Sequence, residues 1–318
     1  MPHPIVRSLA ADGPMLPTLV DGLPHRAGWV YEPKWDGWRC LAVVGDGRAD
    51  LRSRRATDLA RYFPELTRAP VALAGRRAVL DGEVVVLRNG RPDFDAISGR
   101  LTSGRLADWA AHVDPATFVA FDLLELDGRV LTDEPYTARR QALEGLGLDG
   151  LRWALTPSDG DGEAVWAATR DLGLEGVVAK DPRSTWVPRR TKRWLKCKHW
   201  RHGTFAGVGW AAAADKGPAG LVLGAPGAVG ELRVIGVAPH LVDRETRQVV
   251  MALIDGLRAR AGADARAAVA TAGALGRRGP RSGRALPRAD ANGTVAARVG
   301  GCGASTHVAH NGTTKAAG

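Results

Sequence analysis

Between Val30 and about Leu126 the apolar residues fall in short runs rich in β-branched side chains, separated by glycine-containing turns. That texture predicts a mostly antiparallel sheet. Cys40 to Val44 is one such run and ends in Gly45-Asp46-Gly47. Ala78 to Leu87 ends at Arg88-Asn89-Gly90, and Phe118 to Leu126 ends at Asp127-Gly128. Asn-Gly and Asp-Gly tolerate the left-handed backbone that tight hairpin turns need. Helical spacing appears over Thr137 to Leu146 and Gly162 to Leu172. The expected class is therefore α+β. No strict βαβ alternation is visible, which argues against a dinucleotide-binding α/β domain.

After Lys198 the texture changes. Phe205 to Trp210, Leu221 to Gly224 and Glu231 to Ala238 read as short strands, and Leu241 to Arg260 as a helix, which suits a small barrel. From about Ala261 the chain is rich in Ala, Gly and Arg, lacks aromatic residues and shows no sustained period, so disorder is expected there. At 318 residues the chain exceeds what one core usually organises. The expected division is 1–200, a first domain; 201–262, a second and incomplete one; and 263–318, a basic tail that is disordered or altered.

Charge narrows the partners. The formal net charge is +10 and the pI about 10.1, which favours a polyanion because Lys and Arg release counterions condensed on phosphates. No apolar run is long enough to cross a bilayer, and Met1 to Ala11 lacks the apolar stretch of a secretory leader, so a cytoplasmic protein is expected. Only Cys40, Cys197 and Cys302 are present, too few and too far apart for a disulfide framework. Cys197, His199 and His202 are close enough in sequence to be metal ligands, but an alternating strand that also carries Lys196 and Lys198 accounts for them without a metal.

The sharpest local feature is Glu32-Pro33-Lys34-Trp35-Asp36-Gly37-Trp38-Arg39, placed at a turn between two expected strands. A lysine there can face a ligand. As a neutral amine it is a good nucleophile, and a neighbouring cation such as Arg39 would favour that form. Attack on an α-phosphate would give a phosphoramidate. Most lysines are solvated surface groups, so the other segments carry the decision. Glu83 interrupts the apolar run Val79 to Leu87, Glu175 opens Glu175-Gly176-Val177-Val178-Ala179-Lys180, and Lys196 and Lys198 alternate with Leu195 and Cys197. Charges inside apolar strands are costly unless they meet a partner or ligand. Two cations on one strand face, with carboxylates on other strands, match what a nucleoside triphosphate and a divalent metal require.

With these residues in view, the chain resembles the covalent nucleotidyltransferase superfamily, and within it the bacterial ATP-dependent DNA ligases of the small repair and end-joining type. The resemblance runs from about Met15 to about Ala238. Lys34-Trp35-Asp36-Gly37 with Arg39 looks like the nucleophile motif, which makes Lys34 the residue adenylylated, with Glu32 and Arg39 beside the nucleotide. Ser53-Arg54 is similar to the motif whose Arg contacts phosphate. Asp81-Gly82-Glu83 matches the motif whose Glu holds the ribose, and Phe121 takes the place of the aromatic that stacks on adenine. Glu175-Gly176-Val177-Val178 resembles the motif whose carboxylate supports metal chemistry and whose aliphatic residue, Val178, lies against the base. Trp194-Leu195-Lys196-Cys197-Lys198 is similar to the motif whose two lysines, Lys196 and Lys198, bind the α-phosphate. Glu83 and Glu175 are the implied metal carboxylates. Trp35 and Trp38 are expected to pack rather than to stack on bases.

The resemblance implies an ATP-grasp-like antiparallel nucleotidyltransferase domain followed by an OB-fold β-barrel. It also implies ATP with Mg2+ or Mn2+ as cofactors, nicked double-stranded DNA as partner, and a monomer with possible end-binding or polymerase repair partners. Lys34 would take AMP from ATP, pass it to the 5′-phosphate of a nick, and let the 3′-hydroxyl displace it. One departure stands out. The family's C-terminal basic motif is not recognisable, since Arg277, Arg278, Arg281, Arg284 and Arg288 supply charge without its pattern. Three alternatives follow: an RNA ligase, a capping-type nucleotidyltransferase, or an impaired homologue that binds DNA ends without completing adenylylation.

Overall fold

The computed structural model describes residues 3–102, 113–212, 218–226, 232–238, 240–241, 294–300 and 306–308. The chain divides into two compact units, Met1–His199 and Trp200–Gly318.

The first unit holds two sheets. The larger is built from β3 (Trp38–Gly45), β4 (Arg48–Ser53), β5 (Ala78–Arg88), β7 (Ala116–Leu126) and β8 (Arg129–Val130) in the order β4-β3-β5-β7-β8. Two short strands join it at the side: β6 (Arg91–Pro92) pairs with β5, and β9 (Trp153–Leu155) with β7. The hairpin turns form where the sequence placed them. Asp46-Gly47, Asn89-Gly90 and Asp127-Gly128 each carry two consecutive positive φ angles, 51° and 73°, 53° and 74°, 50° and 85°. Only residues tolerant of that region reverse a twisted hairpin so tightly.

The smaller sheet has four strands, β1 (Leu16–Val20), β2 (Val30–Lys34), β10 (Gly176–Lys180) and β11 (Arg190–Lys198), in the order β1-β11-β10-β2. Its members come from both ends of the unit's sequence. Pairings in this unit are antiparallel except β1 with β11 and β7 with β9.

Among the described residues, strand alternation sorts the side chains of this unit into three cores. On one face of the larger sheet, Cys40, Ala42, Leu80, Val84, Val86, Phe118 and Leu123 pack with Phe63, Leu66, Ile97 and Trp153. On the other face, Leu41, Val79, Phe121 and Leu124 meet Trp194 of β11, Trp186, Met15 and helix α1 (Pro4–Asp12) through Ile5 and Leu9. This second core joins the two sheets. The outer face of the smaller sheet, Tyr31, Val177, Ala179 and Leu195, is covered by Val165 and Trp166. Both belong to the helix Gly162–Asp171, whose N-terminus Asp161 caps by accepting from the amides of Glu163 and Ala164 at 3.0 and 3.1 Å. Two further α-helices, Phe94–Thr102 and Tyr136–Glu144, complete the unit's described α-helices, alongside the short 3-10 turns Pro64–Leu66 and Val71–Leu73.

The described residues of the second unit form a six-stranded sheet of β12 (Trp200–Ala212), β13 (Pro218–Pro226), β14 (Leu232–Ala238), β15 (His240–Leu241), β16 (Thr294–Gly300) and β17 (Thr306–Val308), ordered β14-β13-β12-β16-β17-β15. Strands β16 and β17 come from the segment expected as a tail. The helix expected over Leu241 to Arg260 lies, apart from Leu241, outside the described residues, as do Arg277, Arg278, Arg281, Arg284 and Arg288. Among the described residues no helix is long and apolar enough to cross a membrane.

Candidate active site

The register of the smaller sheet assembles the site. Across β2, β10 and β11, Lys34 stands opposite Gly176 and Gly176 opposite Lys198; Glu32, Val178 and Lys196 form the next such row, and Val30, Lys180 and Trp194 the third. Residues two apart on a strand share a face, so both expected lysine motifs and Val178 project from one side of this sheet. Gly176 must be glycine. Its φ is +152°, and a Cβ there would lie 2.0 Å from the Cys197 carbonyl oxygen. The backbone between Lys34 and Lys198 is therefore bare, and the two ammonium groups converge above it on one carboxylate.

That carboxylate belongs to Glu175, only 6% exposed. Lys34 Nζ donates to its Oε2, and Lys198 Nζ lies 2.6 Å from its Oε1. Burial alone would raise this carboxyl, but Lys34 and Lys198 outweigh it and hold Glu175 below its ordinary range. Lys196 is pushed down to about 8, by burial and then by the charges of Lys34 and Lys198. Asp36 rises to about 7 through burial and the nearby Glu175, and its Oδ2 is buried without a hydrogen-bond partner.

The facing sheet supplies Glu83, directly across the ladder from Arg39 on β3 and Val119 on β7. Burial raises Glu83 to about 7 against the pull of Lys34 and Arg39. Arg39 itself is committed elsewhere. Its guanidinium grips Asp81 through Nε at 2.5 Å and a terminal nitrogen at 2.7 Å, donates to the Met15 carbonyl at 3.3 Å, and lies 4.3 Å over the Phe121 ring. Phe121 is 8% exposed.

The remaining expected residues sit as follows. Glu32 is buried beneath the lysine row, where its carboxylate meets Lys180 Nζ at 2.7 Å, the Tyr136 hydroxyl and Arg140 at 3.5 Å. Arg54 is on the exposed tip of the loop after β4, a loop that Ser53 closes by accepting from the amides of Arg55 and Thr57. Trp35 donates its indole N–H to Thr156 Oγ1 at 2.9 Å, and Trp38 packs against the larger core. His199 lies 2.9 Å from Thr169 Oγ1, with its ring 3.8 Å from that of Trp166.

Lys34, Glu175, Lys196, Lys198 and Glu83 are thus brought together electrostatically, while Glu32 and Arg54 stand apart from them. Sequence reasoning gave no role to Asp36, Asp81, Gly176 or Lys180. A charge closing the apolar run Val177 to Ala179 was the available clue for Lys180. Its partners, 148 and 44 residues away in Glu32 and Tyr136, were not.

Residues 14–198 match the model of the ATP dependent DNA ligase domain. The chain belongs to that family. Among curated relatives of this ligase family, the multifunctional non-homologous end joining DNA repair protein LigD of Mycobacterium tuberculosis is 38% identical over 240 residues, 73% of this chain and 30% of LigD. DNA ligase C1 of Mycolicibacterium smegmatis is 34% identical over 243 residues, 73% of this chain and 69% of that protein. The chain thus spans under a third of the length of the LigD relatives it matches. Among solved ligases, mycobacterial DNA ligase D complexed with ATP and MES is 29% identical with a TM-score of 0.57, covering 94% of this chain and 92% of that one. The ligase domain of M. tuberculosis LigD is 35% identical with a TM-score of 0.50, covering 76% and 77%. The mixed α/β architecture with its antiparallel sheet is that of the catalytic domain of ATP-dependent ligases.

Proposed function

We propose that this chain is an ATP-dependent DNA ligase that carries AMP on Lys34 and seals nicked double-stranded DNA in repair or end joining. The observation that carries this reading is the convergence of Lys34 and Lys198 on Glu175 across the bare Gly176, with Glu83 on the facing sheet. Glu175 fixes the Lys34 amine. Once deprotonated, that amine attacks the α-phosphorus of ATP; the new N–P bond forms as the bond to pyrophosphate breaks. Lys196 and Lys198 supply positive charge where the α-phosphate gains negative charge. Glu83 holds the ribose, Val178 and Phe121 line the base, and Arg54 binds phosphate. Arg39 shapes the site through Asp81 and Phe121, and Glu32 supports it from below.

The donor set also suits Mg2+ or Mn2+. Asp36 Oδ2 is buried without a partner, and Asp36 and Glu83 are both raised to about 7 beside the Glu175 carboxylate. A divalent ion would offset the burial that raises both carboxyls. Among the described residues no three His, Cys, Asp or Glu side chains form a ready-made cage; magnesium needs only one or two carboxylates plus substrate phosphates. Glu83 and Glu175 would hold it, and when bound it would supply neutralisation of phosphate charge. We further assign 1–200 to adenylation and the second unit, which runs past the expected 201–262 to take in β16 and β17, to an OB-like domain that acts on DNA, in a cytoplasmic monomer that works with end-binding or polymerase proteins.

The test is incubation with α-labelled ATP and a divalent metal, followed by denaturing electrophoresis. A covalent label on the parent chain that is absent from Lys34→Ala supports the assignment, and a full-strength label in the variant overturns it. Nicked DNA against nicked RNA then identifies the polynucleotide.

A further inference from the structure

Glu32 and Lys180, the buried charges beneath the lysine row, take no part in the phosphoryl transfer above, yet both are almost fully enclosed. Lys180 is 1% exposed. Its Nζ reaches three ways: to Glu32 on β2 at 2.7 Å, to the backbone carbonyl of Phe121 on β7 at 2.9 Å, and into a box of rings, 4.3 Å from Trp194, 4.7 Å from Tyr136 and 4.8 Å from Phe121. Burying an ammonium without compensation is costly, and here Glu32 and the Phe121 carbonyl supply that compensation from two different sheets.

The geometry in question is the separation of the two sheets. Lys180 lies on the smaller sheet, and the Phe121 carbonyl lies on the larger. Val178 is two residues before Lys180 on the same strand face, and Phe121 is the residue that Lys180 grips by both backbone and ring. We propose that Lys180 is a positioning residue that sets the width of the base slot between Val178 and Phe121, and with it the affinity for ATP and the preference for its purine. The proposal rests on the nucleotide-binding reading above. Lys180 contacts neither Lys34 nor its carboxylate partner, so it acts on binding more than on phosphoryl transfer. Arg39 braces the same Phe121 ring at 4.3 Å and is itself anchored to Asp81, so the ring's position depends on two cations from different sheets.

Lys180→Met keeps the length and apolar stem of the side chain but removes its charge and hydrogen bonds. Glu32 retains Tyr136 and Arg140, so its carboxylate stays compensated. Lys180→Arg keeps the charge in a planar group that cannot reproduce the same three contacts. Lysyl-AMP formation is measured against ATP and GTP concentration for the parent and both variants, with circular dichroism to confirm folding. Both variants should show KM for ATP raised about tenfold or more, a smaller fall in the maximal rate, and reduced preference for ATP over GTP. A folded variant with unchanged KM overturns the proposal, as does a loss confined to the maximal rate. Should Lys180→Met not fold, Lys180→Arg decides by the same criteria. Absence of lysyl-AMP in the parent chain would instead strike at the proposed function, which keeps the two failures distinct.

Discussion

Lys34 and Lys198 share the carboxylate of Glu175, one oxygen each, from strands on either side of Gly176. The carboxylate keeps two cations close that would otherwise repel, and in the proposed reaction it aims the Lys34 amine. Glu175→Gln should therefore slow lysyl-AMP formation by about a hundredfold, the scale of removing one preorganised electrostatic partner. Single-turnover labelling with α-labelled ATP checks this, and a rate within twofold of the parent would refute the role.

Gly176 is the spacer that makes the shared carboxylate possible. With φ at +152° and a would-be Cβ 2.0 Å from a backbone oxygen, Gly176→Ala must displace β10 or β11. A loss of roughly 2–4 kcal/mol in unfolding free energy is expected from strain of this kind. Urea denaturation of the purified variant measures it.

Glu83 gives the unliganded protein a pH signature. Burial, opposed by Lys34 and Arg39, raises its carboxyl from 4.5 to about 7. Between those values the folded state retains a proton that the unfolded chain has released, so this group's contribution to stability falls as pH rises through the window and levels off above it. The full cost is on the order of 3 kcal/mol at about 1.4 kcal/mol per pH unit. Glu83→Gln should raise the melting temperature at pH 8 and leave it nearly unchanged at pH 4; an equal gain at both would count against a titrating Glu83.

Arg139 and Asp122 form a fully buried pair with two hydrogen bonds of 2.8 Å, and Arg139 also donates to the carbonyls of Glu134 and Ser184. Arg139→Met strands a carboxylate in the interior. The expected penalty is about 3–5 kcal/mol, read as a drop in the urea midpoint.

Much of this was legible in the chain itself. Asn89-Gly90 and Asp127-Gly128 announced their hairpins because few other residues accept two successive left-handed positions. The period-two alternation around Lys196 and Lys198 placed both on one face, and the order of motifs from Lys34 to Lys198 pointed to the family that residues 14–198 match. These are local properties, set by backbone sterics and side-chain periodicity over a few residues. What only the tertiary structure decided were the partnerships across long separations. Glu175 pairs with a lysine 141 residues earlier, Arg39 turns to Asp81 rather than toward Lys34, and Glu32 sinks into a network with Lys180 and Tyr136. A charge inside an apolar strand declares that it needs a partner, but its partner is chosen by sheet register and by which faces meet, and neither is written in any short stretch of sequence.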